Sequence, residues 1–196
     1  MAVVASSGNL AGILKEKGQL TEAEELYRWN MAALRTLVGE SHPYYAASLN
    51  SLAGTLLAQG KPDAAEPLYR QALRLHRELL PAQHMNLSYP LHGLGKTFLA
   101  QHHAPVAEPL LREAHALLQA NLSPDHWRLA EVRTSLGRCL ALQNKFPDAE
   151  AHLLHSHRTL LEKYASRTNS LRAVSQALVD LYERWDKPEK AERYRE

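Results

Sequence analysis

Residues 39–73 of the chain read GESHPYYAASLNSLAGTLLAQGKPDAAEPLYRQAL. Apolar residues recur three and four positions apart before Gly60, and the same spacing resumes at Ala65. Because this is the spacing of one face of an α-helix, the stretch predicts two amphipathic helices joined by a tight turn. Gly60 suits the turn, since glycine tolerates the left-handed backbone that ends a helix. Pro62 then falls where the first turn of a helix accepts proline.

The same pattern recurs along the chain with a period of 42 residues. Three columns keep one residue type through five repeats: Leu10, Leu52, Leu94, Leu136 and Leu178; Ala23, Ala65, Ala107, Ala149 and Ala191; Glu24, Glu66, Glu108, Glu150 and Glu192. The turn column holds Gly18, Gly60, His102, Asn144 and Asp186. One hairpin cannot bury its apolar face alone, so the period indicates a stack of helical hairpins.

Each repeat is predicted to contain a first helix, helix A, and a second helix, helix B. We expect helix A near residues 5–17, 45–59, 87–101, 128–143 and 171–185, and helix B near 21–38, 63–79, 105–120, 147–164 and 188–196. The repeats span about 4–45, 46–87, 88–129, 130–171 and 172–196 and are expected to form a single domain over residues 1–196. Small residues in helix A and the alanine column in helix B should allow close helix packing.

The pattern of small residues and alanines resembles the tetratricopeptide repeat (TPR). The usual period of that repeat is about 34 residues. The longer period here, with Gly39–Pro43 ahead of Leu49–Ala53 and Gly60–Leu73, resembles the kinesin light chain type, whose repeats are common in bacterial proteins. The resemblance covers essentially the whole chain. It implies an all-α, right-handed α-solenoid of about five hairpins that binds a peptide or partner protein and catalyses no reaction.

In the family, helix A side chains line the concave groove that binds peptides. Carried over by register, the groove residues are Asn50, His92, Lys96, Thr134, Arg138 and Gln176. The resemblance implies that Asn50 bonds a peptide backbone. Lys96 and Arg138 share a column in adjacent repeats, so we expect them to be neighbours. Two such cations predict a site for a carboxylate or acidic side chain of the partner, and the alternative is two solvated side chains.

Composition argues against several other kinds of partner. The formal charge is +2, from 23 basic and 21 acidic residues, so nothing favours nucleic acid or an anionic membrane. The first residues lack a basic region, and no run approaches about 18 apolar residues, so we expect neither a signal peptide nor a membrane span. Cys139 is the one cysteine, which is compatible with a reducing compartment, and we predict a cytoplasmic protein.

Sequence signals for catalysis, cofactors and metals are weak. The segment His92–Thr97, HGLGKT, is similar to the end of a phosphate-binding loop, but the full pattern needs glycine where the chain has Pro90. The histidines show no convergent ligand set, since His42, His84 and His126 fall in the loop column and His102 in the turn column. We therefore expect no catalytic residues, no cofactor and no metal site.

A second functional hypothesis is a regulatory or substrate-recruiting arm of a larger protein. Residues 177–195 resemble the closing segment of repeat arms attached to bacterial serine/threonine kinases. The last helix B is also short compared with the earlier ones. For the chain itself we expect a monomer or weak head-to-tail self-association, because the ends of repeat stacks expose apolar surface.

Overall fold

The structure, a computed structural model, describes residues 2–195. Over this range the chain consists of helices and short connections, without β-strands. The α-helices are α1 (Ala2–Glu16), α2 (Leu20–Val38), α3 (Pro43–Ala58), α4 (Pro62–Leu79), α5 (Ser88–Ala100), α6 (Ala104–Asn121), α7 (Trp127–Leu142), α8 (Phe146–Lys163), α9 (Thr168–Arg184) and α10 (Pro188–Ala191). Two 3₁₀ turns span Met85–Leu87 and Glu192–Tyr194. Odd-numbered helices are helix A of each repeat and even-numbered helices are helix B.

The predicted helices are present, and the last one was predicted too long. Helix B of the fifth repeat was expected over 188–196, but α10 ends at Ala191 and a 3₁₀ turn follows. The tighter turn brings the Tyr194 ring against Tyr182 and His157, with ring centroids 6.1 and 5.2 Å apart. Glu196, the end of the predicted helix, lies outside the described residues.

The turn column has the predicted left-handed backbone. Gly18 and Gly60 have φ of 80° and 73°, and the non-glycine members of the column have φ of 61°, 61° and 55°. These members are His102, Asn144 and Asp186. Positive φ is uncommon outside glycine, and Asn, Asp and His are the side chains that adopt it most readily. The residue types in this column therefore follow from the backbone that the turn requires.

Small residues allow close helix packing, as predicted. All five residues of the alanine column in helix B have no exposed surface. A Cβ atom at Gly137 in α7 would lie 2.6 Å from Cγ of Leu153 in α8. A Cβ atom at Gly93 in α5 would lie 2.2 Å from the Tyr69 ring of α4. The large residue of helix B thus fills the space that the small residue of helix A leaves.

The helices form two compact units, residues 1–101 and 102–196. In the first, α1 to α4 share a core that includes Leu34, Leu49 and Leu75. In the second, α6 to α10 bury Leu136 and Leu178. That the whole chain forms one domain stays a prediction.

The glutamate column joins successive repeats within each unit. Glu66 of α4 accepts hydrogen bonds from Arg70 one turn away and from Gln101 at the end of the next helix A. Glu108 of α6 contacts Arg112, Gln143 and Lys145 in the same way, at 2.7–2.8 Å. The hydrogen bond from Lys145 contributes most to lowering the pKa of Glu108 to about 2. The glutamate column therefore joins one repeat to the next. This role adds to the favourable interaction of a carboxylate with the N-terminus of its own helix.

The histidines of the inter-repeat loops are helix N-caps. Nδ1 of His42 accepts the backbone N–H of Tyr44, and His84 and His126 bind the N–H two residues onward in the same way, each at 3.1 Å. An N-cap side chain satisfies a backbone donor that the helix leaves without a partner. The loop column of histidines thus has a structural explanation.

Over residues 2–195, none of the helices combines the length and apolar character needed to cross a membrane.

Candidate protein-binding surface

The predicted groove residues of the first unit lie on α3 and α5. Asn50 of α3 is half-buried, and its Oδ1 is buried without a hydrogen-bond partner among residues 2–195. His92 and Lys96 lie four residues apart on α5 and therefore share one face of it. Lys96 is exposed and His92 is half-buried. This face, with the matching faces of the other odd-numbered helices, is called the helix A surface below.

His92 is an uncharged group at neutral pH. Burial, and after it the positive charge of Lys96, lowers the pKa of His92 to about 3. Desolvation disfavours the charged imidazolium, and a neighbouring cation disfavours it further. The imidazole can therefore take part in hydrogen bonds on this surface, while Lys96 supplies charge.

Lys15, near the end of α1, is a candidate site residue that the repeat register did not indicate. Its Nζ lies 2.8 Å from the point where a Cβ atom of Gly54 would be, so the ammonium reaches over α3 where a side chain is absent. The Tyr69 hydroxyl lies 3.1 Å from the same point. Burial lowers the pKa of Lys15 first, and the positive charge of Lys96 lowers it further. Lys15 and Lys96, named the lysine pair below, are thus close enough to repel each other.

Lys15 has little compensating negative charge around it. No carboxylate of residues 2–195 makes an ion pair with the half-buried Lys15, and the attraction of Glu16 only partly opposes the lowering of its pKa. The sequence did contain a signal, because Leu57, Leu99 and Ala141 occupy the column of Lys15 in the next repeats. The fifth repeat has Glu183 in this column, so Lys15 departs from three apolar equivalents and marks a charge that the fold holds partly out of water.

The predicted residues of the second unit are less alike. Thr134 is buried, and its hydroxyl donates to the Ala130 carbonyl of the same helix at 2.9 Å. Gln176 is exposed and donates to Asp180 at 2.8 Å. Arg138 is exposed on α7. Since Lys96 belongs to the first unit and Arg138 to the second, their adjacency stays a prediction.

Features that would suggest chemistry or metal binding are weak in the described part of the chain. Across residues 2–195, no group of three or more His, Cys, Asp and Glu side chains could hold a metal ion. Cys139 is buried and its Sγ donates to the Ala104 carbonyl at 3.1 Å. Burial raises the pKa of this thiol, which makes a reactive thiolate unfavourable.

Comparison of the sequence with protein families identifies the repeats. The profile of the tetratricopeptide repeat matches residues 1–78, 52–120 and 86–162. These overlapping matches cover most of the chain, which therefore belongs to the tetratricopeptide repeat family. A search of curated proteins gave no match.

Similar solved structures include repeats of the kinesin light chain type. The nearly identical TPR-like repeats of a Podosopora anserina protein described as a kinesin light chain share 22% identity with this chain, at a TM-score of 0.74, covering 97% of this chain and 90% of that one. BtubC (BKLC) from P. vanneervenii shares 20% identity at a TM-score of 0.77, covering 99% and 77%. YrrB, described as a TPR protein with an unusual peptide-binding site, shares 17% identity at a TM-score of 0.52, covering 96% and 80%. The predicted all-α fold of kinesin light chain-like TPR hairpins is confirmed.

Proposed function

We propose that this chain is a protein–protein interaction scaffold whose helix A surface binds a partner segment that carries an acidic side chain. The observation that carries the proposal is the lysine pair, in which Lys15 is half-buried without an ion-pair partner in the described chain. Membership of the TPR family supports the general role, and YrrB shows that a protein of similar fold has a peptide-binding site. The concave groove expected from the family resemblance is part of this proposal.

An anion between Lys15 and Lys96 would relieve an unfavourable arrangement. Two cations near each other cost free energy, and the cost increases as burial removes water from one of them. A carboxylate accepts charge-assisted hydrogen bonds from both ammonium groups. An acidic side chain on the partner would therefore gain more here than at two separate, fully hydrated lysines.

Asn50 supports an extended segment of peptide rather than a lone ion. Asn50 and Gly54 lie four residues apart on α3, so the amide and the gap that admits Lys15 are on one face. The buried Oδ1 of Asn50 needs a donor, and a peptide backbone N–H is one. The proposed partner segment thus offers a backbone N–H to Asn50 and a carboxylate to the lysine pair. In the second unit, Arg138 is proposed as a further contact for acidic groups.

The test begins by selecting binding peptides from a displayed library with the wild-type chain. The selected peptides should be rich in Asp and Glu, and replacing those residues by Asn and Gln should abolish binding. Lys15→Glu with Lys96→Glu should reduce affinity at least tenfold, and Lys96→Glu with Arg138→Glu should also reduce it. Arg74→Glu with Arg158→Glu is the matched control, because both side chains are exposed and lie on even-numbered helices, α4 and α8, outside the proposed surface.

The control variant should bind like wild type, and circular dichroism should show that every variant is folded. Equal affinity of wild type and the Lys15→Glu/Lys96→Glu variant would place the peptide elsewhere. Selected peptides without acidic residues would contradict the proposed partner chemistry.

A further inference from the structure

Arg133 of α7 occupies a column of the repeat that is leucine in the second and third repeats. The residues at the equivalent positions are Leu49 and Leu91, both without exposed surface. Arg133 is itself buried, with 9% of its surface exposed, and no carboxylate of residues 2–195 makes an ion pair with it. Burial lowers the pKa of Arg133 and the charge of Asp125 opposes this only in part, so the buried guanidinium depends on hydrogen-bond acceptors.

Two acceptors hold the guanidinium of Arg133. Nε donates to Nε2 of His115 on α6 at 3.1 Å, and Nη1 donates to the Pro124 carbonyl at 3.0 Å. The first bond requires a neutral imidazole, because only an unprotonated nitrogen has a lone pair to accept with. A proton on that nitrogen would remove the acceptor and place one cation against another.

The second bond anchors the loop of residues 122–126, which joins α6 to α7. The end of this loop depends on a second neutral imidazole, since Nδ1 of His126 accepts the backbone N–H of Arg128 as the N-cap of α7. The loop therefore has two attachments that need an unprotonated histidine, one direct and one through Arg133. A third attachment, the ion pair of Asp125 with Lys163 at 2.6 Å, does not need one.

We infer that residues 122–126 and the first turn of α7 form an acid-sensitive latch, which is held by neutral His115 and neutral His126 and is released when these imidazoles are protonated. The released state frees the loop and the N-terminus of α7 while the rest of the hairpin stays packed. This inference is independent of the proposed binding function.

The groups around His115 disfavour its charged form. Burial, followed by the charge of Arg133, lowers the pKa of His115 to about 4. His152 and His155 of α8 and Arg112 of α6 also act to lower it. Asp148 faces His152 and acts in the opposite direction there, although the pKa of His152 is still lowered, first by burial. Nε2 of His155 is buried and has no hydrogen-bond partner among residues 2–195.

The groups around His126 act in the same direction. The imidazole of His126 stacks on the Trp127 ring, with centroids 5.5 Å apart. The guanidinium of Arg167 lies 3.5 Å from the centroid of the same Trp127 ring. Burial lowers the pKa of His126 first, and the charges of Arg128 and Arg167 lower it further. Asp125 is the nearest acidic residue in the loop, and its carboxylate is engaged by Lys163.

The sign of the pH effect follows from these directions. An imidazole whose pKa is low in the closed state and ordinary in the open state stabilises the closed state fully above about pH 6.5, and that stabilisation is lost as the pH falls. For His115 alone, lowering the pH from 7.5 to 5.5 should raise the population of the open state about tenfold. His126 should increase the factor.

The test is hydrogen exchange followed by mass spectrometry on the intact chain at pH 7.5 and 5.5, with rates corrected for the intrinsic pH dependence of exchange. Peptides that span residues 122–131 should lose about tenfold or more in protection at pH 5.5. The variant His115→Gln/His126→Asn keeps an acceptor at both positions without a titrating group, so its loss of protection there should be several-fold smaller. His42→Asn/His84→Asn is the matched control, because it replaces two other N-cap histidines, and it should behave like wild type over residues 122–131.

Unchanged protection of residues 122–131 in wild type would contradict the latch, and so would an equal loss in the His115→Gln/His126→Asn variant. If that variant does not fold, NMR titration of the histidine rings in wild type tests the latch instead. The His115 ring should titrate well below its ordinary pKa, together with chemical shift changes in residues 122–128. Titration near pH 6.5 without such changes would overturn the inference.

Discussion

The two units contain the same repeat but differ in how they fill one pair of equivalent positions. In the first unit the pair is Leu73 and Leu91, both buried. In the second it is His115 and Arg133, joined by a hydrogen bond. An apolar pair packs at any pH and with many partners, whereas the polar pair needs one geometry and one protonation state. The repeat therefore fixes the helices, while the residues in single columns decide whether a hairpin responds to pH.

The largest expected effect comes from giving the first unit the arginine of the second. Leu91→Arg would bury a guanidinium where Leu73 offers no acceptor, so the free energy of unfolding should fall by more than about 3 kcal/mol. Urea unfolding followed by circular dichroism measures this change. A loss below about 1 kcal/mol would show that the position tolerates a buried charge in both units, which would contradict the difference described between them.

The reverse exchange should have a smaller effect and the opposite sign. Arg133→Leu with His115→Leu gives the second unit the apolar pair and should raise the free energy of unfolding at pH 7 by about 1–2 kcal/mol, since replacing a buried polar pair by packed apolar groups is often stabilising. The gain should grow toward pH 5, because the wild type loses the contribution of neutral His115 as the pH falls from 6.5 toward about 4.

Unfolding curves at pH 7 and pH 5 test this prediction. His92 also has a lowered pKa, so both proteins should lose some stability on acidification and the difference between them is the relevant quantity. A difference that is the same at both pH values would contradict the role given to His115.

The smallest stability effect concerns the glutamate column. Glu108 is bound by Arg112, Gln143 and Lys145, while Glu66 is bound by Arg70 and Gln101. Glu108→Gln should therefore lower the free energy of unfolding at pH 7 by about 1 kcal/mol, and Glu66→Gln by less. The pKa of Glu108 is lowered to about 2, so its contribution is complete above about pH 4.5 and is lost as the pH falls toward 2. Equal losses in the free energy of unfolding for the two variants at pH 7 would contradict the larger contribution expected from the contacts of Glu108.

The period of the sequence predicted the helices and turns well because it reports local requirements. Asn144 and Asp186 share a column with glycines since the turn needs a left-handed residue, and that need is visible in one repeat after another. The end of the last helix was not predictable in this way. It depends on the Tyr194 ring packing against Tyr182, a contact that the repeat pattern does not contain.

The site was less predictable because its chemistry lies in exceptions to the pattern. The register located Asn50, His92 and Lys96 on their helices but did not indicate Lys15, which reaches Gly54 only after three helices have packed. Lys15 and Arg133 are both charged residues at positions where two other repeats have leucine. Such exceptions are visible in the sequence, but their partners are set by tertiary contacts. The hypothesis of an arm from a larger protein stays open, since it concerns chain outside these residues.

The most direct test of the account is a double-mutant cycle between the chain and a selected acidic peptide, measured by isothermal titration calorimetry. One change is Lys15→Met in the chain and the other is replacement of the peptide's acidic residue by its amide. If the carboxylate meets the lysine pair, each single change should weaken binding and the combined change should weaken it by clearly less than the sum, with a coupling energy of about 1 kcal/mol or more. Additive effects, or full affinity of the Lys15→Met variant, would contradict the claim that this partly buried lysine receives the acidic group of the partner.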